Sequence, residues 1–181
     1  MKNKSSIFFS SLLIIIGISI IQISAQTQKI EFAASPSQKI KASSISWEGH
    51  FGDRKEEPQN TYILMTQGGF RAPTSDNFET LIQSWLTKHS KADAIVIFEM
   101  EGMMSNNPNS KMKSVWITEG EDNLNIFLVR NGGCPGGTMV LNAGDKTSLT
   151  KVEYQTFVKK LNEAEQLARK EKLGIWSDSK N

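Results

Sequence analysis

Cysteine is almost absent from this chain, since Cys134 is the only one among its 181 residues. A single thiol cannot close an internal disulfide, even in a compartment that would permit one. It also excludes metal sites that are built on several thiolates. The folded chain must therefore be stabilised by packing and hydrogen bonding.

An excess of either charge is missing too. The chain carries 21 Lys and Arg against 19 Asp and Glu, and residues 26–181 carry 19 of each sign. Proteins that bind nucleic acid usually carry a basic excess. The composition therefore does not favour a nucleic-acid binder, although a local basic patch would fit inside a neutral total.

Long apolar runs are also scarce, and the longest one lies near the N-terminus. Lys2 and Lys4 precede an apolar run over residues 7–21, and Ile23-Ser24-Ala25 then supplies a small residue. This order is typical of a secretory signal peptide, and the run is shorter than the ~20 apolar residues of a membrane anchor. We therefore expect residues 1–25 to be a cleaved signal peptide, which makes the protein secreted or periplasmic with no membrane attachment.

The remaining chain is long enough for one domain with its own core. Residues 26–38 are polar and are interpreted as a flexible lead-in, so the domain would span residues 39–181. Segments rich in β-favouring residues predict five strands, over residues 39–47, 61–65, 94–100, 114–118 and 138–141. Clusters of Gly, Pro and Asn predict loops over residues 49–60, 102–110 and 132–137.

Two helices are indicated by apolar residues at helical spacing. The first has five residues on one helical face: Phe78, Leu81, Ile82, Trp85 and Leu86. Residues 73–76 supply its N-cap candidates. A shorter helix is predicted around Leu124, Phe127 and Leu128, and the glycines at 132 and 133 end it.

The last helix is the best defined by local signals. Thr150 and Glu153 have the spacing of a capping box, and Leu149 and Tyr154 have the spacing of a hydrophobic staple. A buried stripe follows: Phe157, Leu161, Ala164 and Ala168. Gly174 is expected to take the left-handed cap conformation. Five short strands with three helices fit a small antiparallel barrel that carries helices, or another α+β fold.

Three segments of the last third of the chain carry a family resemblance. Residues 164–177 end in Gly174-Ile175-Trp176-Ser177, and residues 125–132 follow the pattern Asn-x-x-Leu-Val-x-x-Gly. Val115-Trp116-Ile117, followed by the turn at residues 119–122, precedes them. Together these segments resemble the terminal helix and tail, the short helix and the fifth strand of staphylococcal nuclease (thermonuclease) domains. The resemblance implies an OB-fold barrel of five strands with three helices.

That family hydrolyses DNA and RNA with one calcium ion, which is bound by an early Asp-Gly-Asp-Thr turn and by the Asp of an Asp-x-Pro-Glu motif. The Glu of the motif is thought to act as the base. This chain has no Asp-Gly-Asp, and Arg71-Ala72-Pro73-Thr74 is the closest counterpart of the second motif. The resemblance therefore places Arg71 where a metal-binding carboxylate belongs and Thr74 where the base belongs.

Two arginines of the family steady the phosphate, and neither has a direct equivalent here. Tyr62 is expected at the first position, and Lys111 or Lys113 at the second. Lys is a point charge and does not reproduce the bidentate fork of Arg. The sequence thus predicts no catalytic and no metal-binding residues, and Arg71, Lys111 and Lys113 are the candidate substrate-binding residues.

Two further clusters are open to two interpretations each. His50 with Asp53, Glu56 and Glu57 suits a metal site or, preferably, a solvated and charged hairpin loop. Cys134 paired with His50 or His89 would suit a thiol nucleophile, and a small residue in a Gly-rich turn is the structural alternative.

Two loops also have two possible interpretations each. Residues 132–137 would serve either a substrate groove or a tight helix-to-strand connection, and the connection is preferred. Met103-Met104 would form a contact surface or a hairpin tip folded onto the barrel, with no preference between them.

A scaffold that lacks its family's chemistry favours an exported, non-catalytic binding module, and a protein partner is the leading expectation. OB-folds also accept oligonucleotides and oligosaccharides, so a nucleic-acid-binding pseudo-nuclease is one alternative. The other is a diverged calcium-dependent nuclease that uses carboxylates such as Asp53 or Glu56. Calcium is expected as a cofactor in that case alone.

Overall fold

The computed structural model describes residues 29–64, 72–101, 109–136, 141 and 144–177. Over these residues the fold is α+β, with one curled mixed sheet and three α-helices. The expected fold class is confirmed at this level. No helix in the described ranges is both long enough and apolar enough to cross a membrane. Residues 1–28, where the signal peptide is predicted, lie outside those ranges.

The elements follow one another along the chain in a mixed order. The strands are β1 (Gln38–Lys41), β2 (Ser46–Glu48), β3 (Phe51–Asp53), β4 (Asn60–Leu64), β5 (Asp93–Glu101), β6 (Lys111–Glu119) and β7 (Asp122–Asn123). The helices are α1 (Phe78–Lys88), α2 (Leu124–Arg130) and α3 (Lys151–Lys170), with 3₁₀ turns at Ala42–Ser44 and Gly174–Trp176.

The sheet runs in the order β1-β5-β6-β4-β3-β2, and β7 pairs with the end of β6. All pairs are antiparallel except β4 and β6, which are parallel. The expectation of an antiparallel barrel is wrong for this pair, because the chain between β4 and β6 crosses over through α1 and β5. β1 and β2 lie at the two ends of this strand order, but they are consecutive in the chain, where the 3₁₀ turn at Ala42–Ser44 lies between them.

Two features of the first strands differ from the prediction. The strand expected over residues 39–47 is interrupted, because Ala42 turns inward and its N–H donates to Ala92 O at 3.0 Å. β3 lies within the predicted loop 49–60. Its central Gly52 leaves room for Trp47, whose Cε3 would lie 2.8 Å from a Cβ at this position. Of the strand predicted over residues 138–141, the described ranges include Leu141, which is buried.

The first two helices lie where the apolar spacing predicts them. Phe78, Ile82 and Trp85 of α1 are buried, and Leu81 and Leu86 pack against the core from partly exposed positions. The N-cap of α1 falls at residue 77, one residue beyond the predicted candidates, and it makes no side-chain capping bond. α2 is capped by residue 123, whose side chain accepts the N–H of residue 126 at 3.0 Å.

The last helix has both its predicted beginning and its predicted buried face. Thr150 and Glu153 form a complete capping box, and the four residues of the expected stripe are buried. Its C-terminal cap is different from the prediction. Lys172, with a φ of 55°, takes the left-handed position, and Leu173 N donates to Ala168 O at 3.0 Å. Gly174 also has a positive φ, but it lies two residues later and serves a contact described below.

The polar segment before β1 is hydrogen-bonded to the chain that leads into α3. Glu31 N donates to Asp145 O at 2.8 Å, and Ala33 N donates to Leu149 O at 2.7 Å. Phe32 lies beside Tyr154 of α3, with ring centroids 5.8 Å apart. Described residues of the predicted lead-in are therefore anchored to the domain.

Candidate functional site

The structure places two of the three candidate substrate-binding residues on β6, and Arg71 lies outside the described residues. Lys113 lies directly opposite Tyr62 in the parallel pairing of β4 with β6. The resemblance places Tyr62 at the position of one phosphate-steadying arginine of the family, and either Lys111 or Lys113 at the position of the other. The fold brings them together, although they are 51 positions apart in the chain.

A carboxylate from the β3–β4 loop lies between them. Glu57 Oε2 accepts hydrogen bonds from Lys113 Nζ at 2.9 Å, from Tyr62 OH at 2.8 Å and from Asn60 Nδ2 at 2.6 Å. Its Oε1 accepts from Arg54 NH1 at 2.8 Å. Tyr62 is fully buried, and the side chain of Lys113 is 7% exposed. We call these five residues the Glu57 network.

Two consecutive turns of the loop direct Glu57 inward. Glu57 N donates to Arg54 O at 3.2 Å, and Asn60 N donates to Glu57 O at 2.9 Å. The loop therefore folds over the start of β4 rather than extending into solvent. In this position the carboxylate meets two cations and two neutral donors, which is the arrangement that a poorly solvated carboxylate requires.

The network holds Glu57 ionised and Tyr62 protonated. Desolvation by itself would raise the pKa of Glu57, but the hydrogen bonds from Lys113, Asn60 and Tyr62, together with the charge of Lys113, hold it at about 2. Burial, followed by the hydrogen bond to Glu57, raises the pKa of Tyr62 to about 12, against the opposing effect of Arg54. Neither group changes its protonation near neutral pH.

Lys111, the other candidate on β6, is also paired. Its Nζ lies 2.9 Å from Glu99 Oε2 of the neighbouring β5, and both side chains are partly exposed. This hydrogen bond and the charge of Glu99 raise the pKa of Lys111. Lys111 therefore carries its positive charge beside a carboxylate, in the way that Lys113 does.

These two ion pairs determine which ligands can bind where β4 and β6 begin. A phosphate that approached Lys113 would have to displace Glu57, which also holds Arg54, Asn60 and Tyr62. Because Glu57 is an ionised carboxylate held beside Lys113, it would repel a phosphate at close range. The arrangement is suited to holding the barrel wall together and unsuited to binding an anion.

Arg54 is the member of the network that the sequence analysis missed. Its NH1 donates to Glu57, and its NH2 lies 3.7 Å from Glu56 Oε2. Its Nε is buried and has no partner among the described residues. The only available signal was the spacing of three between Arg54 and Glu57, which an exposed loop shares.

The proposed cluster of His50 with Asp53, Glu56 and Glu57 does not assemble into one site. Glu57 points into its network, while His50 is buried against Phe78 with ring centroids 4.8 Å apart. Burial lowers the pKa of His50, so the ring is neutral. Within the described ranges no group of three or more His, Cys, Asp or Glu side chains could hold a metal ion. The preferred interpretation as a solvated loop fits Asp53 and Glu56, which are exposed, but is wrong for Glu57.

The nucleophile pairing of Cys134 finds no geometric support. Cys134 is fully buried within the hydrophobic core. His89 directs its ring nitrogens elsewhere, Nδ1 to Trp85 O at 2.9 Å and Nε2 to Asp122 Oδ2 at 3.1 Å. Cys134 therefore contributes to the hydrophobic core, and His89 is engaged elsewhere.

The Gly-rich turn packs against the C-terminal tail of the domain. Ile175 N donates to Gly132 O at 2.9 Å, and a Cβ on Gly132 would lie 2.1 Å from Leu173 O. A Cβ on Gly174 would lie equally close to Gly132 O. The described part of the turn therefore uses Gly132 for a close contact with the C-terminal tail. The predicted connection to a strand leads into residues outside the described ranges. Residue 137, like Met103 and Met104, lies outside the described ranges.

The motif Asn-x-x-Leu-Val-x-x-Gly has a structural role at every fixed position. Asn125 is fully buried; its Oδ1 accepts from Ile117 N and its Nδ2 donates to Val115 O, both at 3.0 Å. Leu128 and Val129 are completely buried. The segment that carries the resemblance thus attaches α2 to β6.

No model of a known protein family matches the chain, and no curated protein matches it either.

Proposed function

We propose that the protein is an exported, non-catalytic interaction module, built on an OB-fold barrel of the staphylococcal-nuclease type, and that its partner is a protein. The observation that carries this proposal is the pairing of both described candidate cations. Lys113 is bound to Glu57, and Lys111 is bound to Glu99. A site that binds or cleaves phosphodiesters needs positive charge that is free to meet the phosphate.

The strand connectivity supports the OB-fold. If β1 and β2 are two halves of one strand that the 3₁₀ turn interrupts, and the two-residue β7 is set aside, five strands remain. One half of that first strand pairs with β5, while the other half pairs with β3. The sheet then closes on itself through its first strand, which is the behaviour of a small barrel.

The roles of the family-like residues support the family assignment and the loss of activity together. Asn125, Leu128, Val129 and Gly132 all serve packing and backbone pairing. The positions at which the family's chemistry is expected carry Tyr62 and Lys113 in a closed ion-pair network. On this proposal the chain keeps the family's scaffold and lacks the groups that would use it for hydrolysis.

A cleavage assay tests this proposal. The purified protein is incubated with single-stranded DNA and with RNA, in the presence and absence of Ca²⁺, beside an active calcium-dependent nuclease as positive control. We expect no calcium-dependent cleavage. Cleavage that requires Ca²⁺ and is lost in Asp53→Ala or Glu56→Ala would replace this proposal with a diverged nuclease, since both carboxylates are exposed on the β3–β4 side of the barrel.

A further inference from the structure

A groove lies among the three helices and the turn that follows the end of β6, whereas Lys113 of the Glu57 network lies near the start of β6. α2 contacts both α1 and α3, so it lies between them and forms the base of the groove. The groove has a volume of about 440 Å³, and the partly exposed Ile126 and Phe127 form an apolar floor. Trp85 also lines the groove, but its side chain is buried. This volume falls in the range of small-ligand pockets, and it suits one or two peptide side chains.

The His89 ring covers Trp85 at the α1 side of the groove. The His89 ring stacks on Trp85 with centroids 3.9 Å apart and an interplanar angle of 16°. Desolvation lowers the pKa of His89, but its hydrogen bonds to Trp85 O and Asp122 and the charges of Asp122 and Glu119 raise it above its ordinary value. A partner that enters the groove therefore meets the His89 ring, and not the Trp85 ring, on this side.

Two exposed lysines flank this floor without a partner of their own. Lys88 comes from the last turn of α1, and Lys160 comes from the middle of α3. Among the described side chains no carboxylate pairs with either of them, whereas Arg130 in the same lining is paired with Glu171. The two free cations stand on opposite walls, with the apolar floor between them.

The two carboxylates of the lining do not cancel this charge. Asp122 accepts a hydrogen bond from His89, so its carboxylate already has a partner within the protein. Glu121, at the β6–β7 turn, has no ion pair among the described residues and is the single opposing charge. The groove therefore presents two free cations against one free anion, in contrast to the closed pairs at β6.

We propose that this groove binds an acidic peptide segment of a partner protein, with an apolar side chain of the segment on the floor and its carboxylates at Lys88 and Lys160. This inference rests on the proposed function as a protein-interaction module and names the surface that performs it. An apolar anchor in a pocket supplies affinity, while the charges at the rim set orientation and partner choice.

Amide NMR spectra of the labelled protein test the proposal during titration with a short synthetic peptide that carries Leu and Phe between Glu residues. We expect shift changes concentrated at Trp85, Phe127 and Lys160. Two control peptides replace Glu by Lys, or Leu and Phe by Ala, and both should bind much more weakly. No shift change with the acidic peptide at low salt, or equal binding of the Lys peptide, would overturn the proposal.

Charge variants of the protein make the test specific to this groove. Lys88→Glu combined with Lys160→Glu should weaken binding by about tenfold or more at low ionic strength. The matched control is Lys39→Glu combined with Lys151→Glu, which makes the same charge change at exposed positions outside the groove and should leave binding unchanged. Equal loss in both double variants would show general charge attraction and overturn the proposal.

Two single variants complete the set. Glu121→Gln removes the opposing charge and should strengthen binding of the acidic peptide. Weaker binding would contradict the proposal that the groove attracts negative charge. Ser84→Trp adds bulk at an exposed position of the lining and should block the groove without removing a core contact. The cleavage assay is independent of these results. A failed titration with no nuclease activity rejects the groove alone, while calcium-dependent cleavage rejects the proposed function.

Discussion

Glu57 shows how far the setting of a residue decides its role. It lies in a loop with the composition of an exposed hairpin, and Asp53 and Glu56 of that loop are indeed exposed. Its partner Lys113 lies 56 positions further along the chain. Sequence spacing reveals contacts within a helix or a turn, but a contact of this range depends on which strands become neighbours.

The first prediction concerns the pH dependence of stability that Glu57 contributes. Its pKa falls from an ordinary 4.5 to about 2 in the folded chain, so its stabilising effect is complete above 4.5 and is lost as the pH falls toward 2. Because the side chain is partly exposed, we expect this contribution to be on the order of 2 kcal/mol. Glu57→Gln should lower the free energy of unfolding at neutral pH and flatten its decline between pH 4.5 and 2.

Urea unfolding at a series of pH values measures this effect. The control is Glu48→Gln, at an exposed position of β2 outside the network, which should keep the wild-type pH profile. A Glu57→Gln profile that runs parallel to that of the wild type through this window would show that Glu57 is not held by the network.

The second prediction concerns Asn125, whose amide serves two backbone groups of β6. Asn125→Ala would leave Ile117 N and Val115 O without these bonds in the core. Each unsatisfied buried group costs about 1–3 kcal/mol, so we expect a loss of about 3 kcal/mol in the free energy of unfolding. Asn162→Ala, at an exposed position of α3, should change it by less than about 0.5 kcal/mol. Equal effects of the two substitutions would contradict the assigned role.

At the scale of elements, the helices could be predicted well because their signals are local. The capping box of Thr150 and Glu153 and the apolar stripe of α3 lie within a few turns of each other, and the structure confirms both. The C-terminal cap was assigned to the wrong residue, since Lys172 takes the left-handed position and Gly174 is instead required by its contact with Gly132.

The strands were predicted less well for a related reason. The interruption of the first strand depends on a bond from Ala42 to Ala92, and β3 depends on the space that Gly52 leaves for Trp47. Neither contact has a signature in the local pattern of apolar and polar residues. The sequence of a short strand with a glycine at its centre predicts a loop.

The third prediction tests the contact between α2 and the C-terminal tail. Gly132→Ala would combine a left-handed backbone, at a φ of 66°, with a Cβ only 2.1 Å from Leu173 O. Because a backbone atom blocks the space, we expect a loss of more than about 3 kcal/mol in the free energy of unfolding. Thermal unfolding followed by circular dichroism measures it.

Gly120 offers a matched control for that variant. It has a similar φ of 61°, but a Cβ there would meet nothing within 4 Å. Gly120→Ala should therefore cost only the backbone strain, about 1–2 kcal/mol. If the two substitutions had the same effect, the close approach of the tail to α2 would not contribute to stability.

At the scale of the whole molecule, the inventory of helices and most strands could be predicted, but the order of strands in the sheet could not. The parallel pairing of β4 with β6 places Tyr62 opposite Lys113, and no periodicity in the sequence encodes that pairing. The resemblance predicted which residues should face each other at the candidate site. It did not predict that Glu57 would form an ion pair with Lys113, or that Glu99 would form one with Lys111.

The pairing of charges differs between two regions of the described structure. Near the β4–β6 pair the cations are matched by carboxylates, while the groove between the helices keeps Lys88 and Lys160 free. This division separates a structural end of the barrel from a surface that has charge available for a partner. It favours a protein ligand at the helices over a nucleic acid at the barrel.

The central claim is that Lys111 and Lys113, the described cations of the family-like site, are not available to phosphate. Fluorescence anisotropy of a labelled single-stranded oligonucleotide, at low and at moderate salt, tests it most directly, because phosphate contacts release counterions and make affinity fall steeply with salt. We predict no salt-sensitive binding by the wild-type protein, and no difference between it and Lys111→Ala or Arg71→Ala. Tight binding that weakens with salt and is reduced by either substitution would contradict the account and identify the protein as a nucleic-acid binder.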